Sequence, residues 1–135
     1  MLVEHARNLA GIADAAHAEY GPGGTPVITL LECSLQDQTI TVDLVPGSLL
    51  AQLYGNERVV ENTTCSYGLS PEAQHIAGEH GMRIAATDST GEVRAIERVE
   101  HPFFVGTLYQ PQLRSEPGAP HPIFLGLLDA ARAAM

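Results

Sequence analysis

Two thiols, six imidazoles and a set of carboxylates are the groups in this chain that could make or break bonds. Cys65 closes a Val- and Thr-rich stretch, Arg58 to Thr64, that reads as a strand, so the thiol falls at a strand end. A free cysteine there is either a nucleophile or a small buried hydrophobe. Cys33 has no partner chemistry beside it, and the two cysteines do not make a disulfide framework; free thiols point to a cytoplasmic chain. Of the histidines, His75 and His80 frame His75-Ile76-Ala77-Gly78-Glu79-His80, one residue longer than the H-x-x-E-H metalloprotease pattern. On a helix His75 and Glu79 would share a face while His80 is turned about 100° away. A solvated helix face is therefore the reading, and no metal site is assigned. Gln110-Pro111-Gln112 ends an apolar run, where an open α/β sheet presents its site residues. Amides do not titrate near pH 7, so neither glutamine can take a proton from a nucleophile.

The composition limits what these groups can be part of. A chain of 135 residues, 44% hydrophobic and 17% charged, suits a single globular domain over residues 1–135. The net charge of −9 argues against nucleic acid and anionic membrane as partners. The basic residues are seven arginines, with no lysine, which excludes Schiff-base chemistry and a phosphate-loop lysine on this chain. Gly21-Pro22-Gly23-Gly24 is a loop and not a phosphate cradle, because no strand precedes it and no helix opens from it. No cofactor is expected. No 18-residue apolar run and no leader pattern is present, so the Asn62-Thr63-Thr64 sequon carries no weight.

The elements that must position the chemistry follow from periodicity. Residues 2–10 have helical spacing. Val27 to Leu31 and Phe103 to Tyr109 are apolar runs that read as strands buried on both faces. Ile40, Val42 and Leu44 alternate with polar residues, as in a half-buried strand. Ser48 caps a helix that Gly55 stops; Ser70-Pro71 opens another that should run to Gly81. Arg83 to Asp88 and Val93 to Val99 form a hairpin. Pro122 opens a last helix with Ile123, Phe124, Leu127, Leu128 and Ala131 as its apolar stripe, and His101 and His121 read as turn residues before prolines.

The segment His101 to Ala134, HPFFVGTLYQPQLRSEPGAPHPIFLGLLDAARAA, resembles the end of the glutamine amidotransferase domain of CTP synthases, HPFFV-x-x-QFHPEF…HPLF-x-G-x-x-x-AA. Leu2-Val3-Glu4-His5-Ala6-Arg7-Asn8 with Ala18-Glu19-Tyr20 is similar to that family's V-I-E-F-A-R-N…A-E-F. The family's E-R-H-R-H-R-Y-E-V-N falls on Glu61 to Ser70, where only Glu61 and Tyr67 match. The resemblance implies an α/β, class I glutamine amidotransferase-like fold of the flavodoxin-like three-layer kind, truncated at its N-terminus. It implies that the triad's base and orienting carboxylate are replaced by Gln110 and Gln112, and that the cysteine nucleophile lies upstream of Met1. Glu19 matches a residue that holds glutamine, against the alternative of a solvated loop carboxylate; Ser66 and Tyr67 would line the same pocket. A second resemblance, to the CTP synthase C-terminal region-related (seleno)proteins, implies a recoded stop codon upstream and a false start at Met1.

The expectation is a degenerate homologue without glutaminase activity in this chain. It would be related to pyrimidine nucleotide biosynthesis and would act as a binding or partner module for a glutamine-like small molecule. Two alternatives stand beside it. One is an enzyme whose nucleophile is Cys65 or is encoded upstream; the other is a structural remnant that self-associates as a homo-oligomer.

Overall fold

A computed structural model describes all of residues 1–135. The chain runs α1 (Leu2–Asn8), β1 (Ala15–His17), β2 (Thr25–Leu30), β3 (Gln38–Leu44), α2 (Leu49–Tyr54), β4 (Arg58–Thr63), β5 (Tyr67–Leu69), β6 (Met82–Asp88), β7 (Val93–Arg98), β8 (Val105–Thr107) and α3 (Pro122–Ala133). Short 3-10 turns occupy Ala18–Tyr20, Pro71–Gly78 and Pro111–Arg114. β4-β3-β6-β7-β8 form an antiparallel sheet, and β1-β2-β5 a small second one in which β1 and β2 are parallel.

The large sheet is covered on both sides, which gives three layers. One face packs Val93, Ile96 and Met82 against Ala6 of α1, Val27 and Ile28 of β2, Leu69 of β5 and Ile76 of the 3-10 turn. The other packs Val42, Leu44, Ala86 and Ala95 against Leu50 of α2, Ile123 of α3 and Tyr109. The alternation read in β3 holds: Val42 and Leu44 are buried while Thr39 and Thr41 are exposed. The β6–β7 hairpin, the Ser48 cap (Ala51 N donates to Ser48 Oγ, 3.0 Å) and the left-handed stop at Gly55 (φ 67°) also match the sequence pattern.

Four expectations are corrected. The strand buried on both faces is β7, five of whose six residues are buried; the Phe103–Tyr109 run yields only three half-buried residues at the sheet edge. In β2 only Val27 and Ile28, at the middle of the strand, are buried, while Thr25 and Pro26 at one end and Leu30 (65% exposed) at the other face solvent. The segment after Ser70 is a 3-10 turn that ends at Gly78, short of Gly81. On α3, Ile123 and Gly126 face inward while Leu127, Leu128 and Ala131 are exposed. Gly126 sets that rotation: a Cβ there would lie 2.5 Å from Leu53 Cδ2, so α2 and α3 meet over the glycine and the leucine stripe turns out.

Acid should weaken this fold in two steps. Burial, and then the charge of His80, holds the pKa of His5 below 6.5, so the folded state resists its protonation. The stability tied to neutral His5 is complete above the unfolded pKa and is lost as pH falls through the lowered folded value. At Asp88 burial pushes the carboxyl up, but hydrogen bonds from Thr90 and Arg94 outweigh it and bring the pKa below 3.8. That contribution is present above the unfolded value and lost as pH falls through the folded one. We expect thermal midpoints to decline first below about pH 6.5 and again below about pH 4. His5→Phe should flatten the first step and leave the second; calorimetry across pH checks both.

Candidate functional site

A cavity of about 220 Å³ opens between the small sheet and the large one. Its wall is mostly apolar, and His17, Cys65, Tyr67, Arg94 and Thr107 interrupt it. Cys65 sits in the link between β4 and β5 because Thr63 fixes the backbone there. Thr63 Oγ1 accepts from Cys65 N (3.2 Å) and donates to the Leu108 carbonyl (3.2 Å), tying β4 to the end of β8. The half-buried Cys65 thiol donates to the Tyr67 carbonyl (3.3 Å), and its sulfur accepts from Tyr67 N (3.4 Å). His17 packs its ring 5.3 Å from that of Tyr67. His17 Nδ1 accepts from Glu19 N (3.2 Å), which leaves the proton of a neutral imidazole on Nε2. That tautomer offers the cavity a donor and no free lone pair, so it is not poised as a base.

The other residues singled out in the sequence are absent from this cavity's wall. Gln110 Oε1 accepts from Thr64 N at 2.7 Å, one residue from Cys65, and Gln110 N donates to Asn62 O (3.0 Å). The side chain braces the link. Gln112 is exposed on the 3-10 turn Pro111–Arg114. Glu19 is exposed two residues after His17, and Ser66 points to Ser34, with its Oγ 2.8 Å from the Ser34 Oγ. Cys33 is exposed. His75, Glu79 and His80 are exposed, on and just after the 3-10 turn rather than along an α-helix.

A second polar cluster lies where the sequence pattern marks none. Glu61, His121 and Tyr109 are buried beneath Tyr54. Tyr54 OH donates to Glu61 Oε1 (2.8 Å) and lies 3.3 Å from the Tyr109 hydroxyl. His121 Nδ1 accepts from Ile123 N (3.3 Å), capping α3, so Nε2 carries the proton toward Glu61 Oε1 (3.0 Å). His121 is thus a buried clamp as well as a residue before a proline. Burial pushes both phenols far above their ordinary range, with Tyr109 and Glu61 adding to the effect on Tyr54, so neither supplies a phenolate. The cluster fastens α2, β4 and α3 around one carboxylate. The available signal was the alternation in β4, which sends Val59, Glu61 and Thr63 to one face.

No family model matches the chain. CTP synthases from two strains of Synechococcus do. Strain WH7803 is 39% identical over 146 residues and strain CC9311 40% over 143, each match taking in 97% of this chain and 26% of the relative. The chain thus spans about a quarter of the length of these relatives. Among solved structures, the glutaminase domain of Trypanosoma brucei CTP synthase with bound acivicin superposes with a TM-score of 0.86 at 26% identity, over 98% of this chain and 56% of that one. The sequence and the fold agree: the chain belongs with the CTP synthase glutamine amidotransferase domains, matches their C-terminal part, and has the class I glutamine amidotransferase fold.

Proposed function

We propose that this chain is a CTP-synthase-type amidotransferase homologue that does not hydrolyse glutamine and keeps its cavity for binding. The observation that carries this is the surroundings of Cys65. Gln110 is spent on the Thr64 N–H, and His17 presents no lone pair to the cavity. A thiol with neither a base nor a carboxylate-oriented imidazole beside it lacks the arrangement that acyl transfer from glutamine needs. The ligand would be a small glutamine-like molecule, entering past Glu19 and packing on Tyr67. The bound acivicin in the related domain supports that class. Titration with L-glutamine should shift the NMR signals of Tyr67 and Cys65 and release no glutamate. Unchanged signals at saturating amino acid would remove the ligand from this reading.

The same module is proposed to self-associate. Leu127 and Leu128 of α3 are 48% and 53% exposed, and β8 leaves one side of the large sheet unpaired. Covering such side chains yields about 1.5–3 kcal/mol each, and open strand edges invite pairing. Light scattering over a dilution series should give a mass above 14.4 kDa that falls on dilution. Leu127→Glu with Leu128→Glu should lower it; a constant 14.4 kDa species would refute self-association.

A further inference from the structure

We propose that the cavity beside Cys65 selects a small α-amino acid with an apolar side chain, of the methionine kind, over glutamine. The inference rests on the reading of that cavity as a binding site and concerns what its wall can recognise. Eleven of the fifteen wall residues are hydrophobic, Ile28, Leu69, Val93, Ile96 and Leu108 among them. The polar donors between them are spent inside the protein. The Cys65 S–H goes to the Tyr67 carbonyl, and Thr107 Oγ1 donates to the Tyr109 carbonyl (2.8 Å). The buried Arg94 guanidinium is held by Asp88 and Glu92, at 2.6 and 2.7 Å. With His17 Nδ1 taken by the Glu19 amide, the His17 Nε2–H and the half-buried Tyr67 hydroxyl are the polar side-chain groups left to a ligand.

A glutamine side chain ends in two N–H donors and a carbonyl with two lone pairs. Against this wall most of them would be buried without a partner, which weakens binding relative to water. A methionine side chain reaches nearly as far and brings no amide to satisfy. Its thioether also packs well against an aromatic ring such as that of Tyr67. An apolar cavity of about 150 Å³ is enough to hold benzene, so about 220 Å³ holds such a side chain. The charged head has a place beside it. A neighbouring cavity of about 470 Å³ shares Met1, Val3 and His17 with the first and adds Glu4 and Arg7, one charge of each sign. Arg7 Nε is spent on the Ala15 carbonyl and Nη1 on Glu4, which leaves Nη2 free. Arg7 Nη2 and the His17 Nε2–H would take the ligand's carboxylate and Glu4 its ammonium, while the side chain passes His17 into the apolar cavity.

The test is NMR titration of the full chain, read at Tyr67, Cys65 and Leu108, with L-methionine and L-glutamine in parallel. We expect both to saturate at the same residues, methionine about tenfold more tightly, a difference of about 1.4 kcal/mol. Leu108→Gln, which puts a carboxamide into the wall, should narrow that difference, and Leu108→Met should keep it. If Leu108→Gln does not fold, the two amino acids on the unaltered chain still decide. Glutamine binding as tightly as methionine would overturn the selection and leave the cavity a binding site. A methionine affinity untouched in folded Leu108→Gln would overturn the placement of the side chain in this cavity. Ethyl methyl sulfide saturating as tightly as methionine would overturn the amino-acid class. No saturable shift with either amino acid would overturn both this inference and the binding reading beneath it.

Discussion

Glu97→Ala is expected to destabilise the fold by about 3–5 kcal/mol, since it removes the buried partner of an ion pair together with the acceptor of two helix amides. Glu97 is 2% exposed in the middle of the molecule, on the one strand covered on both faces. Its carboxylate accepts from Leu49 N (3.0 and 2.9 Å) and Leu50 N (3.4 Å), the free amides at the start of α2, and from the Arg83 guanidinium. Alanine would leave the helix amides without an acceptor and Arg83, which keeps its bond to the Gly47 carbonyl (3.1 Å), without its carboxylate. Glu97→Gln keeps the shape and an acceptor but loses the charge, and should cost less, about 1.5–3 kcal/mol. Against a total stability of about 5–15 kcal/mol, the alanine variant should lose a large share of its margin. Urea midpoints measure both. A loss below about 1 kcal/mol for alanine would show that water serves α2 as well as Glu97 does, contrary to the expected cost of an unpaired buried group.

That contact also marks the limit of what the sequence reveals. Ser48 and Gly55 announce α2 because their capping roles are local, and β3 and the β6–β7 hairpin announce themselves by alternation. Glu97 is 48 residues from Leu49, and nothing near it in sequence says that a glutamate in an apolar strand serves a distant helix. The face of α3 fails for a related reason. Hydrophobic spacing favours the leucines, but the close approach of Leu53 to Gly126 decides which side turns in. Phe103 to Tyr109 has the composition of a central strand and becomes an edge, while β7, with Arg94 and Glu97 held in ion pairs, takes the covered position. At the site, Cys65 and Tyr67 are brought to the cavity wall, while His17 and the Glu61–His121 clamp came from the folded structure.

Placing at positions 110 and 112 the His and Glu of the resembled motif should not produce glutamine hydrolysis. On the proposed reading the unaltered chain releases no glutamate from glutamine above blank, the absence of a working triad costing on the order of 10⁴–10⁶ in rate. In Gln110→His with Gln112→Glu, two obstacles remain. The side chain at 110 is directed at the Thr64 N–H, 2.7 Å from Gln110 Oε1, so an imidazole there would be drawn to the same backbone donor. Position 112 is exposed on the 3-10 turn, where a carboxylate would be solvated and free to swing away from an imidazole. Cys65 already spends its S–H on the Tyr67 carbonyl, so even a correctly turned base meets an engaged thiol. The measurement is coupled detection of glutamate with the unaltered chain, the double variant and the double variant carrying Cys65→Ser. Flat traces in all three support a module that binds without turnover. Turnover in the double variant that vanishes with Cys65→Ser would instead identify Cys65 as a nucleophile awaiting its base, and the non-hydrolysing reading would fall.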